Sequence, residues 1–134
     1  MPTQTAVQNP VRWFEIYVQD LNRAKTFYES VFQIKLQKLN TPDTLKESKM
    51  ELWSFPSNKD GWGSSGALVK MEGVPSGGGG TLVYFGSEDC AVEEKRVVQF
   101  GGKIHRSKTA IGEYGFIALA VDPDGNMIGI HSMK

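Results

Sequence analysis

The sequence predicts an α+β fold made of two copies of one small βαβββ unit. Residues 11–33 and 80–102 each read as a strand of alternating character, then an acidic residue (Asp20 or Asp89), then one amphipathic helix. Near the end of each helix an aromatic residue stands beside a stop signal. The two acidic residues lie about half the chain length apart. We therefore expect the functional site between the two copies.

The first copy begins with a predicted strand, residues 11–18, whose two faces differ. Alternation puts Phe14, Ile16 and Val18 on an apolar face, and Val11, Trp13, Glu15 and Tyr17 on a mixed face. Asp20 is the expected N-cap of a helix with apolar residues at helical spacing, which covers the apolar face. Three further strands are predicted at residues 34–39, 49–55 and 67–71.

The second copy repeats this order after a glycine-rich linker, residues 73–80. The predicted elements are a strand at 82–85, a helix at 90–100 and strands at 103–107, 114–121 and 127–132. The segment 122–126 is interpreted as a hairpin turn without a further role. The whole chain, 1–134, is then one domain with module one at 9–72 and module two at 80–133.

Composition excludes several classes of function. The chain has 134 residues, of which 40% are hydrophobic, so it can bury a core. Its 15 basic and 15 acidic residues leave no basic stripe for nucleic acid. No apolar run suits a membrane span, and the first residues lack the features of a signal peptide, so we expect a cytoplasmic protein. Cys90 is the only cysteine, which excludes an internal disulfide.

Three segments together resemble a known superfamily. They are the run from Phe14 to Phe32 (FEIYVQDLNRAKTFYESVF), the later Phe100-Gly101-Gly102, and the closing Asp122-Pro-Asp-Gly-Asn. They resemble the vicinal-oxygen-chelate superfamily, which includes glyoxalase I, the bleomycin-resistance proteins and the extradiol dioxygenases. The resemblance implies paired βαβββ modules that form a U-shaped mixed sheet around a central cleft, in a homodimer. It also implies a divalent metal that chelates two substrate oxygens.

The metal is the point where this sequence departs from the resemblance. The positions that carry metal ligands in metal-binding members correspond here to Trp13, Leu82 and Gly129, with a fourth near residues 67–69. None of these side chains can bind a metal. Catalytic divalent sites typically need three His, Glu or Asp ligands. We therefore predict no metal and no other cofactor.

One layer away, strand alternation sends Glu15, Tyr84 and His131 toward the same cleft. This carboxylate, phenol and imidazole could form a displaced metal site, a general base with its partner, or a polar lining for a ligand. Glu15 could instead be solvated at a cleft rim, or paired with Arg12 or Arg106 of a partner chain. We expect Glu15 to be partly shielded from water, with His131 or Tyr84 as its hydrogen-bonding partner.

Aromatic residues supply the remaining candidates for ligand contact. Trp13, Tyr17, Tyr84 and Trp62 could stack on a planar molecule, although aromatic side chains on a half-buried face more often pack into a core. Glu113 and Tyr114, directly after Ile111-Gly112, lie where members of the resembled family often border the cleft.

Three hypotheses for function follow. The favoured one is a protein that binds a small organic molecule in the cleft without metal. The second is a lyase or isomerase resembling glyoxalase I (lactoylglutathione lyase), with Glu15 and His131 as catalytic residues and Glu15 as the base. The third is a dimeric accessory module without a small ligand.

Overall fold

The computed structural model describes residues 11, 13–41, 49–58, 60–79 and 81–134. Its strands and helices follow the chain as β1 (Trp13–Tyr17), α1 (Leu21–Phe32), β2 (Gln37–Leu39), β3 (Glu51–Ser54), β4 (Ser65–Lys70), β5 (Val83–Gly86), α2 (Cys90–Gln99), β6 (Lys103–Ala110), β7 (Phe116–Val121) and β8 (Met127–Ser132). A short 3₁₀ helix, Gly112–Tyr114, precedes β7. The α+β class and the repeated βαβββ order are confirmed. Most predicted boundaries differ from the observed ones by one to three residues.

The described strands form two four-stranded mixed sheets with the same topology. The strand order is β1-β4-β3-β2 in one sheet and β5-β8-β7-β6 in the other. In each sheet the first strand of the module runs parallel to the last one, and the other pairs are antiparallel. Each helix follows the first strand of its module.

Both helices begin where the acidic residues predict. The Asp20 side chain accepts a hydrogen bond from the backbone N–H of Arg23 at 3.0 Å, and Asp89 accepts one from Ala91 at 3.1 Å. These bonds satisfy backbone donors that have no partner inside the helix. Within the described residues, neither helix has the length and apolar character needed to cross a membrane.

A cluster of aromatic rings joins the two modules. Phe85 of β5 stacks on Phe32 of α1 with ring centroids 4.4 Å apart, and meets Phe14 of β1 edge-on at 6.1 Å. The ring of Tyr28 lies 5.8 Å from the same Phe85 ring. Rings at these separations gain both burial and favourable quadrupole contacts. The apolar face that the sequence predicts for β1 therefore contacts module two as well as its own helix.

The turn after β7 also joins the modules, which corrects the interpretation that it has no further role. The buried hydroxyl of Tyr28 in α1 donates to Asp122 Oδ2 at 2.8 Å. Asp122 Oδ1 accepts from the backbone N–H groups of Asp124 and Asn126, each at 2.8 Å. The Asn126 side chain donates to Asp122 Oδ2 at 3.1 Å and to the Tyr17 carbonyl of β1 at 2.9 Å. One carboxylate thus connects the turn to the helix of the other module.

An ion pair strengthens this contact. The side chain of Asp124 is fully buried, and its Oδ1 accepts from Arg23 Nη2 at 2.7 Å and from the Gln19 backbone N–H at 3.0 Å.

Burial raises the pKa of Asp122, while its hydrogen bonds oppose that rise. Burial, followed by the Asp122 charge, holds the pKa of Tyr28 well above its usual value. The hydroxyl of Tyr28 therefore stays a donor across the neutral range.

We predict that Tyr28→Phe lowers the free energy of unfolding by about 1.5 to 3 kcal/mol, because it removes a hydrogen bond to a buried carboxylate. Chemical denaturation at neutral pH measures this change. Tyr114→Phe is the matched control, since the described residues give that hydroxyl no hydrogen bond, and we expect a change within about 0.5 kcal/mol.

The same variant has a distinct pH dependence. The pKa of Tyr28 is raised in the fold, so its contribution to stability is complete below the unfolded value of about 10 and declines as pH rises above it. The stability difference between wild type and Tyr28→Phe should therefore shrink in alkaline solution. A difference that stays constant or grows there would contradict the assigned contact.

Candidate functional site

Each sheet has one face covered by the helices and one face turned away from them, which we call the open face. On β1 the side chain of Ile16 belongs to the core under the helices, and the side chain of Phe14, two residues earlier, packs against that core. A separate small cluster, Leu52, Ala67 and Val69 with Tyr17, Met50 and Met71 against it, lies on the other side. The odd-numbered residues of β1 therefore lie on the open face, as alternation predicts.

A cavity of about 790 Å³ lies between the modules. Its volume falls within the usual range of sites for small organic ligands. Most of its lining is aromatic or aliphatic. The described residues that line it are Trp62, Gly63, Ser64, Tyr84, Phe85, Gly86, Ile111, Tyr114, Ile117 and His131. The first three belong to the loop before β4 in module one, and the others belong to module two.

Three aromatic side chains present accessible rings at this cavity. Trp62 is 96% exposed, Tyr114 is 67% exposed and Tyr84 is 47% exposed. Large side chains so exposed leave apolar area in contact with water, and a ligand that covers them gains the free energy of its removal. The cavity is therefore suited to a flat apolar molecule.

His131 is the imidazole of the cavity, and a hydrogen bond fixes its tautomer. Its Nε2 lies 2.7 Å from the backbone carbonyl oxygen of Tyr114. A carbonyl oxygen can only accept, so Nε2 carries the hydrogen, and Nδ1 of the neutral ring is an acceptor. Nδ1 has no hydrogen-bond partner within the described part of the chain. It can accept a hydrogen bond from a ligand.

The ring of Tyr84 occupies the space above Gly129. A Cβ atom built at Gly129 would lie 2.3 Å from Tyr84 Cδ1, much closer than real contacts allow. Any side chain at this position requires Tyr84 to move. Gly129 is one of the positions that the resemblance equates with a metal ligand, and here an aromatic ring takes the place of that ligand.

The other inherited ligand positions fit a metal equally poorly. Trp13 and Leu82 are both partly exposed, and Ala67 and Val69 are buried with aliphatic side chains. Among the described residues, no three His, Cys, Asp or Glu side chains stand close enough together to hold a metal ion. The donor set of this site does not fit a divalent metal.

Glu15 does not have the environment that the sequence predicts. Its carboxylate is exposed rather than shielded, and its partners are neither His131 nor Tyr84. Tyr17 Oη donates to Glu15 Oε1 at 2.8 Å, and Trp13 Nε1 donates to Oε2 at 3.3 Å. The physical reason is local, because side chains two residues apart on one strand share a face. The suggested partner Arg12 lies outside the described residues.

A second, smaller cavity of about 230 Å³ lies beside Glu15 and Tyr17. Pro75 and Gly77 of the linker and Thr81 directly after it line this cavity together with residues of β1, β5 and β8. The hydrogen bond to Glu15, followed by burial, raises the pKa of Tyr17. The structure therefore divides the six predicted site residues into two groups.

The first group, Trp62, Tyr84 and His131, lines the large cavity; the second group, Trp13, Glu15 and Tyr17, shares the open face of β1. Sequence reasoning did not select Ile111 or Ile117. Ile117 lies directly across from His131 in the β7–β8 pair, so strand register would have located it. Ile111 precedes the 3₁₀ helix, and no sequence pattern points to it.

Comparison with known proteins agrees with this architecture. A family model for the Glyoxalase/Bleomycin resistance protein/Dioxygenase superfamily matches residues 11–130. Glyoxalase I from Zea mays is similar with a TM-score of 0.69 at 22% identity, over 97% of this chain and 48% of that chain. TnmS3, an antibiotic binding protein from Streptomyces sp. CB03234, is similar with a TM-score of 0.67 at 22% identity, over 96% of this chain and 98% of that one.

A glyoxalase/bleomycin resistance protein from Albidiferax ferrireducens T118 has a TM-score of 0.63 at 20% identity, over 91% of this chain and 98% of that one. The chain spans about half the length of the maize glyoxalase I. At these identities the likeness shows the fold alone. No protein of curated function matches this chain.

We predict that zinc, nickel, manganese and iron(II) do not raise the melting temperature of the purified protein. A ligand that binds only the folded state raises it by mass action, and this donor set offers such ions no tight site. Thermal unfolding with and without each ion, on protein without an affinity tag, is the measurement. An upward shift with one ion that disappears in Glu15→Gln or His131→Ala would overturn this prediction.

Proposed function

This chain belongs to the Glyoxalase/Bleomycin resistance protein/Dioxygenase superfamily, and we propose that it binds a flat, mainly apolar organic molecule between its two modules without a metal. The observation that carries the proposal is the aromatic lining of the 790 Å³ cavity. Trp62, Tyr84 and Tyr114 provide ring surfaces for stacking. Stacking on such surfaces adds to the gain from apolar burial.

The polar groups of the cavity are few, as in most sites for organic ligands. His131 supplies an acceptor at Nδ1, while the carbonyl of Tyr114 holds the ring in place. The hydroxyl of Tyr84 can donate or accept. A ligand with one hydrogen-bond donor at the edge of a flat ring system therefore fits this site best.

Binding is better supported than catalysis. A lyase or isomerase mechanism with Glu15 as base and His131 as partner requires both groups at one substrate. The two side chains instead border different cavities and contact different partners. An enediolate intermediate would also need charge stabilisation, and the site has no donor set for a metal that could provide it. A similar protein of matching length, TnmS3, is described as antibiotic binding.

We propose further that the protein acts as a homodimer in the cytoplasm. Trp13 in β1, Leu82 directly before β5 and Tyr84 in β5 expose apolar side-chain area to water. A second copy that covers part of this area would bury it from water. An accessory role without a ligand would need the dimer but not the cavity.

We predict that 1,8-naphthalimide, a neutral flat heterocycle with one N–H donor, binds the large cavity. Its titration should move the indole N–H resonance of Trp62 in a nitrogen-15 correlation spectrum. Trp62→Ala should weaken binding by about tenfold, because it removes one stacking surface. Gly86→Leu should abolish binding: a Cβ at Gly86 meets nothing within 4 Å, so the larger side chain enters the cavity without a backbone clash.

Val98→Ala is the matched control, because Val98 lies on the exposed side of α2 and does not line the cavity. It should bind the naphthalimide as wild type does. Binding that survives Gly86→Leu unchanged would show that the probe sits elsewhere, and would remove the cavity from the proposal.

The homodimer is tested by sedimentation velocity over a range of protein concentrations. We expect a species of twice the mass of the 14.8 kDa chain at micromolar concentration. Tyr84→Lys should shift the distribution toward monomer, because it places a charge in the apolar surface. A single monomeric species at all concentrations would exclude the dimer.

A further inference from the structure

The open face of β1 carries a carboxylate between two aromatic side chains. Glu15 accepts from Tyr17 Oη on one oxygen and from Trp13 Nε1 on the other. The indole nitrogen can only donate, and the raised pKa of Tyr17 keeps its hydroxyl protonated. Both bonds therefore hold the carboxylate in one orientation without neutralising it. A carboxylate has room for about four donors, so each oxygen can accept again.

The charge of Glu15 has no counter-ion within the described residues. None of the ion pairs formed by described side chains includes it. The adjacent 230 Å³ cavity is lined by Tyr17 and by aliphatic, methionine, glycine, proline, threonine and asparagine residues, and Glu15 is the one acidic residue among the described residues that line it. Asn126 cannot serve as a donor there, since its side-chain amide already bonds Tyr17 and Asp122. A negative charge thus faces a small, partly enclosed space.

The same sheet contains a second glutamate–tryptophan pair, and its surroundings differ from those of Glu15 and Trp13. Glu51 and Trp53 are also two residues apart on one strand, β3. There the chain has lysine residues nearby: Lys25 Nζ lies 3.9 Å from the centroid of the Trp53 ring, and Lys70 is the residue opposite Glu51 on the neighbouring strand β4. Glu15 instead pairs with Ala67 across β1 and β4. A described lysine thus lies over the tryptophan of β3, whereas no described lysine or arginine forms an ion pair or cation–π contact with the β1 residues Trp13, Glu15 and Tyr17.

We propose that Trp13, Glu15 and Tyr17 form a subsite for a cationic group, a protonated amine or a quaternary ammonium, at one end of the ligand. The inference rests on the proposed function, because it assigns the charged end of a molecule whose flat part lies in the large cavity. The two cavities border the same strand, β5, with Val83 at the smaller one and Tyr84 at the larger one. A carboxylate beside the exposed ring of Trp13 and the partly buried ring of Tyr17 attracts cations by charge and by the ring quadrupole.

Choline and its uncharged isostere, 3,3-dimethyl-1-butanol, test the subsite directly. Each is titrated into nitrogen-15-labelled protein while the three indole N–H resonances are followed. We expect choline to move the Trp13 resonance and to leave Trp53, on the covered face, unmoved. The alcohol, which has the same shape without the charge, should move neither.

Glu15→Gln keeps the shape and removes the charge, so choline binding should weaken by about fivefold or more. Glu51→Gln is the matched control and should bind choline as wild type does. Equal responses to choline and the alcohol, no movement of Trp13, or full choline affinity in Glu15→Gln would each overturn the subsite.

The two proposals fail separately in these samples. The 1,8-naphthalimide titration reports on the large cavity through Trp62, and choline reports on the subsite through Trp13. Naphthalimide binding without a choline response at Trp13 leaves the proposed function intact and removes the cationic subsite. A Glu15-dependent choline response without naphthalimide binding supports the subsite and removes the flat-ligand cavity.

Discussion

The carboxylate of Asp122 holds the two modules against one another. It lies buried in module two and accepts four hydrogen bonds, of which the one from Tyr28 comes from the helix of module one. A buried carboxylate with unfilled acceptor positions costs several kcal/mol, so the fold is favoured only where these donors meet. Asn126 extends the contact to the Tyr17 carbonyl, which fixes β1 against the same turn.

Because the two modules are held in one arrangement, the open face has two separate chemical regions. The loop before β4 brings Trp62 over module two, where Tyr84 and His131 complete an apolar cavity. The other region is built within β1 alone, from side chains at alternate positions that bond one another. The first region has ring surfaces and little charge, while the second has a charge and little enclosed volume. A ligand with a flat end and a cationic end matches both.

The sequence contained enough to predict the fold because its strongest signals are local. Alternation along β1 and the two capping aspartates depend on neighbours in the chain, and both are found as expected. The site was harder to predict. Alternation correctly put Glu15, Tyr84 and His131 on open faces, but it cannot tell which positions of two different sheets meet.

The contacts that the sequence did not reveal are those between distant segments. The turn at Asp122 reads locally as a hairpin, and its partner Tyr28 is 94 residues away in the chain. Tyr28 itself has the pattern of an ordinary core residue of α1. Likewise, Gly129 marks a lost ligand position in the sequence, but only the structure shows that the Tyr84 ring fills the space.

Cys90 provides the most direct test of whether the Asp122–Tyr28 contact joins both modules into one cooperative unit. This single cysteine is fully buried at the start of α2 in module two, while Tyr28 belongs to module one. Its reaction with a thiol reagent under native conditions reports how often module two opens. If the modules open together, Tyr28→Phe should speed the labelling of Cys90 by the same factor by which it favours global unfolding. Labelling of Cys90 at the wild-type rate in Tyr28→Phe would show that the contact does not couple the two modules.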